Sequence, residues 1–205
     1  PIEVIVGYPP GGGTDMIARA VADVAHKYVG QPLVVVNKAG ATGTIAAQSV
    51  AAAKPDGYML LVAGGSETIS VPHFKKLPYD TLNDFVPVIR LMIERVGFYV
   101  KADSPWKTMK EFMEDAKKNP DKYTYATSGI GGLHHATVLV LEKRTGVVLR
   151  HVPHKGGAET LAAAVPQHAG DAGNRTGRNL PPSRCLRVDR QFFRDCGQAL
   201  PASDG

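Results

Sequence analysis

The strongest constraint on the fold is a local pattern that the chain repeats. A short β-rich run ends in a glycine- or serine-rich turn, and the turn leads directly into a helical pattern. Alternation of this kind is typical of βαβ units, in which helices cover a mainly parallel sheet. The four turns span residues 11–15, 40–43, 64–66 and 128–132. The predicted fold class is therefore α/β.

Hydrophobic periodicity places the elements around these turns. Helices are predicted over residues 14–29, 44–53, 106–118, 133–144 and 158–165. Strands are predicted over residues 2–6, 33–36, 58–63, 85–92, 96–101, 123–127 and 147–152. From residue 171 onward neither period is visible, so no element is predicted there.

Composition limits the possible functions. The 205 residues allow one domain or two small lobes, and 43% apolar with 21% charged residues is ordinary for a globular chain. The longest aliphatic stretches, residues 58–63 and 136–141, are far shorter than the roughly 20 apolar residues of a membrane span. Both cysteines, Cys185 and Cys196, follow residue 165, which excludes a thiol nucleophile or a thiolate zinc site from the main body.

The four turns have a chemistry that suits a carboxylate. In an open α/β sheet such turns lie beyond the carboxyl ends of the strands, where ligands bind. Each turn offers main-chain N–H groups and the positive end of a helix dipole, so together they predict an anion cradle. Helix capping also explains any single turn, and it explains Asp15 at the start of its helix. A nucleotide is disfavoured because GxGxxG and GxxxxGK[ST] are absent and no Lys follows Gly13.

Metal and nucleic-acid binding are not predicted. His134 and His135 are adjacent on a predicted helix and point about 100° apart, which is poor geometry for sharing a metal. His151 and His154 are separated by Pro153 and are not a helical ligand pair. The lysine pairs at 75–76 and 117–118 have no interleaved aromatic residues, so they indicate a solvated surface. No cofactor is predicted.

An enzyme is the competing interpretation. Ser66 or Ser128 could be a nucleophile, but the chain has no G-x-S-x-G elbow. Hydroxyls that cap helices or bind a ligand explain both residues. The alternative that stays open is an α/β enzyme in which Ser128 or His135 acts on a carboxylate substrate.

Six motifs share their order and spacing with one protein family. They are PPGGGTDMIAR at 9–19, NKAGATG at 37–43, KPDGY at 54–58, LPYD at 77–80 followed by Asp84-Phe85, YATSGIG at 125–131 with His135, and VPHKGGA at 152–158. Over about residues 1–165 the sequence resembles the Bug family of extracytoplasmic solute-binding receptors. These proteins are similar to the receptor component of bacterial tripartite tricarboxylate transporters, and the resemblance implies binding without catalysis.

The resemblance also implies a fold and a location. The expected fold is a periplasmic-binding-protein-like clamshell of type II, with lobe one in residues 1–100 and a partial lobe two in residues 101–165. The expected location is periplasmic or extracytoplasmic. The sequence begins at Pro1 without the charged and apolar regions of an export signal, which agrees with a signal peptide already removed.

The ligand implied by the resemblance is a small organic acid or amino acid, and the implied partners are membrane transporter subunits. In this family, main-chain amides of facing loops and ordered waters hold the ligand carboxylate. The implied ligand-binding residues are Gly11, Gly12, Gly13, Thr14, Asp15, Ala41, Thr42, Gly65 and Ser66 from lobe one, and Thr127, Ser128, Gly131, Gly132 and His135 from lobe two. The family usually has a small hydroxyl residue where this chain has Gly132, so main chain or water is expected to replace that hydrogen bond.

The resemblance ends near Val165. Residues 166–205 contain no Lys and both cysteines, and they are predicted to form an aberrant or disordered tail. Lobe two is then incomplete at the C-terminus. A reading-frame shift near Pro166 explains the change in composition, and a divergent natural tail is the alternative. A frameshifted chain would be a nonfunctional fragment.

Overall fold

The computed structural model of the protein describes residues 1–93, 96–100, 104–164 and 184–185. The predicted tail over residues 166–205 and the frameshift near Pro166 lie outside these residues, apart from residues 184–185. The chain divides into two compact units. The first takes the described residues of Pro1–Glu94, Thr127–Ala136 and Pro153–Thr160, and the second takes those of Arg95–Ala126, Thr137–Val152 and Leu161–Gly205.

The first unit contains a three-stranded parallel sheet. Its strands are β1 (Ile2–Val6), β2 (Leu33–Asn37) and β3 (Met59–Val62), in the order β2-β1-β3. Ile5 at the centre pairs with Val36 on one side and Leu61 on the other, and it is fully buried. A central parallel strand is covered on both faces, so Val4, Ile5 and Val6 of β1 form a continuous buried apolar run.

Two helices connect these strands. They are α1 (Gly13–Val29) and α2 (Thr44–Ala51). α1 buries Ala18 and Ala22, and it ends at Gly30, whose φ of +67° favours glycine. A 3-10 turn over Ala41–Gly43 precedes α2. Since the strands are parallel, the loops after β1, β2 and β3 all leave the same edge of the sheet.

The loop after β3 holds a feature that the sequence did not predict. It forms a π-helical turn over Ser66–Ser70, followed by a 3-10 turn over Val71–His73. Short π-helical turns occur frequently at functional sites. The loop after β3 is therefore an ordered part of the sheet edge.

The remaining elements follow in chain order. They are β4 (Tyr99–Val100), α3 (Met109–Lys118), β5 (Thr124–Thr127), α4 (Leu133–Thr145), β6 (Arg150–Pro153), α5 (Gly157–Ala164) and β7 (Arg184–Cys185). β5 pairs with β6, and β4 pairs antiparallel with β7. The second unit has its own core, in which Met109, Phe112 and Met113 of α3 pack with Leu141 of α4 and with Val147.

Most predicted elements are confirmed, but the strand prediction over residues 85–92 is wrong. Residues 85–92 form no strand, and Val86, Val88 and Ile89 are largely exposed. Their β-branched residues do not produce a strand, because no described strand pairs with them. The strand predicted over residues 147–152 is confirmed as β6, which begins later, at Arg150. The helix predicted from residue 106 begins at Met109, because Thr108 caps it.

Candidate functional site

All of the predicted ligand-binding residues belong to the first unit. The resemblance places residues 127–135 in lobe two of the receptor, and this assignment stays a prediction. The site is therefore described from the first unit alone.

The N-terminus of α1 is the first element of the site. Gly12 occupies the N-cap position with φ −79° and ψ 167°, and no side chain caps the helix. The first amides of a helix have no acceptor within it, so the N–H groups of Gly13 and Thr14 are not used by α1. A Cβ atom on Gly64 would lie 3.2 Å from Thr14 Oγ1, so the turn after β3 lies beside the start of α1.

Asp15 fixes the loop that precedes this helix. Its buried carboxylate accepts the N–H of Gly11 at 2.9 Å, Nε of Arg19 at 3.0 Å and Nδ2 of Asn37 at 2.8 Å. The hydrogen bond from Arg19 is the main reason that the pKa of Asp15 falls from 3.8 to about 2. Asp15 thus has the amide-capping role that the sequence left open, and its predicted contact with a ligand stays a prediction.

Thr42 joins the second turn to the fourth. Ala41 and Thr42 have φ of +47° and +57°, a backbone conformation that costs non-glycine residues about 1–2 kcal/mol each. Thr42 Oγ1 donates to the carbonyl of Ile130 at 3.1 Å. A Cβ atom on Gly129 would lie 2.6 Å from Thr42 Oγ1, so the close approach of the two turns requires glycine at position 129.

Ser66 joins the third turn to α4. It is 4% exposed, and its Oγ accepts the N–H of Leu133, the first residue of α4, at 3.2 Å. A Cβ atom on Gly132 would lie 3.1 Å from Ser66 Oγ. The Ser66 hydroxyl therefore lies next to Gly132. At this position the resemblance implied that main chain or water replaces the hydrogen bond of a hydroxyl side chain.

The fourth turn is shaped by its own side chains. Thr127 is buried and donates from Oγ1 to the carbonyl of Gly129 at 3.2 Å. The N–H of Gly131 donates to His135 Nδ1 at 3.1 Å, which places the proton of a neutral His135 on Nε2. His135 therefore holds the turn that precedes its own helix.

Several of the predicted amide donors are thus already bonded inside the protein. The N–H groups of Gly11, Gly64, Gly131 and Leu133 donate to Asp15, Glu67, His135 and Ser66 respectively. These amides hold the turns in shape. Fewer main-chain donors are therefore left for a ligand than the sequence predicted.

Glu67 is the residue that sequence reasoning missed. It is fully buried, and its carboxylate accepts the Tyr8 hydroxyl at 2.8 Å and the N–H of Gly64 at 2.8 Å. Its carbonyl oxygen accepts the Tyr79 hydroxyl at 2.7 Å. A single acidic residue directly after the Gly64-Gly65-Ser66 turn was the signal available in the sequence.

Metal and membrane features are absent from the part of the chain that the structure describes. Within residues 1–93, 96–100, 104–164 and 184–185, no group of three or more His, Cys, Asp or Glu side chains is placed to hold a metal ion. No helix within the same ranges combines the length and apolar composition that a membrane crossing needs. Ser128 Oγ lies 3.3 Å from Nδ1 of His134, and Nδ1 of His135 accepts the N–H of Gly131.

The sequence matches the tripartite tricarboxylate transporter family receptor (TctC) over residues 17–174. The match continues past residue 165, where the resemblance was expected to end. A protein of Cupriavidus necator, named for the gbd 5′ region, is 39% identical over 168 residues, covering 82% of this chain and 51% of the relative. Protein BugT of Bordetella pertussis is 33% identical over 160 residues, covering 76% and 48%. The chain spans about half the length of these relatives.

Solved structures show the same relationship. MatC (Rpa3494) of Rhodopseudomonas palustris with bound malate has a TM-score of 0.73 and 34% identity, covering 80% of this chain and 56% of its own. R. palustris Rpa4515 with adipate has a TM-score of 0.71 and 30% identity, covering 80% and 55%. The predicted periplasmic-binding-protein-like fold is confirmed.

The fold is that of periplasmic solute-binding proteins. This chain belongs to the family of tripartite tricarboxylate transporter receptors, as the Bug resemblance predicted. The family consists of receptors rather than enzymes, so the enzyme interpretation is not supported.

Proposed function

We propose that the chain is the solute-capturing part of an extracytoplasmic receptor for a small organic acid. The acid binds through main-chain amides, hydroxyls and bridging waters, and it leaves unchanged. A carboxylate of the ligand would accept the N–H groups of Gly13 and Thr14. The Ser66 hydroxyl, which accepts from Leu133, keeps its own proton to donate.

The uncapped N-terminus of α1 is the observation that carries the proposal. Gly12 offers no side chain to the helix, and Asp15 accepts the N–H of Gly11 in the preceding loop. The first N–H groups of α1, which the helix itself does not use, and the helix dipole both favour an anion at this point. A neutral set of donors suits reversible binding, since it holds a carboxylate without a fixed ion pair.

Two relatives support the choice of ligand class. The MatC structure contains malate and the Rpa4515 structure contains adipate, and both molecules are dicarboxylates. Their shared feature is the carboxylate group, so a small carboxylate is the class proposed here. Receptors of this family serve tripartite transporters, so we propose that membrane subunits receive the solute.

Titration calorimetry on the 205-residue chain tests the proposal, with malate, adipate and the neutral diamide succinamide as probes. We expect saturable binding of at least one dicarboxylate and none of the diamide. Absence of saturable dicarboxylate binding would overturn the proposal. Turnover of the bound acid, followed by NMR, would overturn the receptor assignment.

A backbone substitution tests the role of α1. Gly13→Pro removes one N–H donor, and proline is tolerated at the first helical position after an extended residue such as Gly12. Gly13→Ala keeps the donor and is the matched control, because a Cβ atom there meets nothing within 4 Å. A hydrogen bond to a charged group contributes about 1.5–3 kcal/mol, so we expect Gly13→Pro to bind the acid at least about tenfold more weakly than the parent chain. Equal affinities for the two variants would exclude this amide from the site.

A further inference from the structure

Glu67 connects the three loops that leave the sheet edge. Its Oε2 accepts the hydroxyl of Tyr8, which follows β1, and its Oε1 accepts the N–H of Gly64, which follows β3. The same side chain lies against Gly43, which follows β2. A Cβ atom on Gly43 would be 3.0 Å from Oε2 of Glu67, so the packing leaves no space for a side chain there.

A second buried carboxylate continues this network on the other side of Tyr8. The Tyr8 carbonyl accepts Nδ2 of Asn37 at 2.9 Å, and the same amide group donates to Asp15 at 2.8 Å. Asp15 in turn accepts the N–H of Gly11. The loop between β1 and α1 is therefore held by Glu67 at one end and by Asp15 at the other.

Glu67 also fixes the position of its neighbour in sequence. Ser66 precedes it in the π-helical turn and holds the N–H of Leu133 at the start of α4. The Tyr79 hydroxyl binds the carbonyl of Glu67 and fixes the backbone of that turn. Burial is the main reason that the pKa of Tyr79 rises to about 12, and the negative charge of Glu67 acts in the same direction.

We propose that Glu67 is a positioning residue for the solute site, whose buried carboxylate sets the spacing between the α1 amides, the Gly64 turn and the Ser66 hydroxyl. It acts through Tyr8 and Gly64 and does not touch the solute. The proposal rests on the proposed function, since it assigns Glu67 to that same site.

The main test variant is Glu67→Gln, which keeps the size of the side chain. The Gly64 N–H can only donate, whereas the Tyr8 hydroxyl can also accept, so the amide oxygen of the variant faces Gly64 and its NH₂ group donates to Tyr8. The Tyr8 proton then loses the carboxylate that accepts it, and both loop contacts lose the negative charge that strengthens them. We expect malate or adipate, whichever the parent chain binds more tightly, to bind the variant at least tenfold more weakly.

The second variant is Tyr8→Phe, which removes one hydroxyl and leaves the ring in place. Its matched control is Tyr123→Phe in the second unit, where a tyrosine hydroxyl donates to Asp115 at 2.7 Å. We expect binding about threefold to tenfold weaker for Tyr8→Phe and within twofold of the parent for Tyr123→Phe. The double variant Tyr8→Phe/Glu67→Gln should bind like Glu67→Gln alone, because Tyr8 acts through Glu67.

Amide hydrogen exchange supplies a measurement that needs no ligand. We expect the N–H of Gly64 to exchange at least tenfold faster in Glu67→Gln, while the amides of α3 are unchanged. A merely structural role would lower the unfolding midpoint and leave the affinity of the folded protein unaltered.

The outcomes separate the two proposals. A parent chain that binds neither acid overturns the proposed function, and the exchange rate of Gly64 then decides the role of Glu67 alone. A parent chain that binds, together with Glu67→Gln binding within twofold of it, overturns the positioning role. If Glu67→Gln does not fold, Tyr8→Phe decides, and an affinity within twofold of the parent counts against the proposal.

Discussion

The two units of this chain bury different kinds of side chain. In the described residues, every buried polar or charged residue belongs to the first unit, and these are Asp15, Thr44, Ser66, Glu67, Ser70 and Thr127. The second unit is built around an apolar and aromatic cluster, in which Trp106 lies edge-on to Phe112 at 5.1 Å and to Tyr123 at 5.1 Å.

This difference separates a unit whose loops are fixed by buried hydrogen bonds from a unit built on apolar packing. Buried polar groups are stable only when their hydrogen bonds are satisfied, so they fix loops in one arrangement. Asp15 and Glu67 do this for the loops that leave the sheet. Apolar packing in the second unit contributes stability without such specific directions.

The largest expected effect is in the apolar core. Phe112 is 8% exposed, and Phe112→Ala should lower the free energy of unfolding by about 3–5 kcal/mol. Trp106 is the only tryptophan of the chain and contacts Phe112, so its fluorescence during urea denaturation reports this change. Phe74→Ala removes a residue that is 52% exposed and should cost less than about 1 kcal/mol. Similar losses of unfolding free energy for Phe112→Ala and Phe74→Ala would contradict this contrast between the units.

The next effect concerns Asp15 and depends on pH. The pKa of Asp15 is about 2 in the folded protein against 3.8 for the free group, so the ionised carboxylate stabilises the fold. This contribution is complete above about pH 4 and is lost as the pH falls toward 2. We estimate about 1–2 kcal/mol, because solvent screens the half-exposed Arg19.

Denaturation midpoints between pH 5 and pH 2 check this prediction, with amides of α1 followed by NMR as the probe of the first unit. Asp15→Asn should be less stable at pH 5 and should show a smaller decline toward pH 2. An identical pH dependence in the variant would show that other carboxylates carry the acid sensitivity.

The smallest of the three effects is at the start of α3. Thr108 Oγ1 accepts the N–H of Glu111 at 3.3 Å and caps the helix. Thr108→Ala should cost about 1 kcal/mol, and Thr108→Ser should restore most of it. Trp106 fluorescence again gives the midpoint. Equal unfolding midpoints for Thr108→Ala and Thr108→Ser would show that packing alone holds α3.

Sequence periodicity predicted the strands and helices wherever an element has its own amphipathic pattern and its own boundaries. β1 and α1 are examples, since Gly12 and Gly30 mark the ends of the helix. The prediction failed for residues 85–92, where β-branched residues are present but no described strand is available as a partner. Strand formation requires a neighbouring strand, which local sequence does not reveal.

The site was predictable in outline and not in detail. The glycine turns were recognisable because their residues are contiguous in sequence. The hydrogen bond that Leu133 donates to Ser66 joins positions 67 residues apart, and the one that Tyr8 donates to Glu67 joins positions 59 apart. No local pattern predicts such pairs, so both roles became visible only in the folded chain.

The sequence alone determined the α/β class, the glycine-rich turns and the family, because these depend on short-range periodicity and on motifs read in order. The tertiary structure decided which main-chain donors of the turns are already bonded within the protein. That question depends on whether distant side chains, Asp15, Glu67 and Ser66 among them, have already accepted the hydrogen bonds of the turns. A donor's availability is a property of its neighbours in space, and folding sets those neighbours.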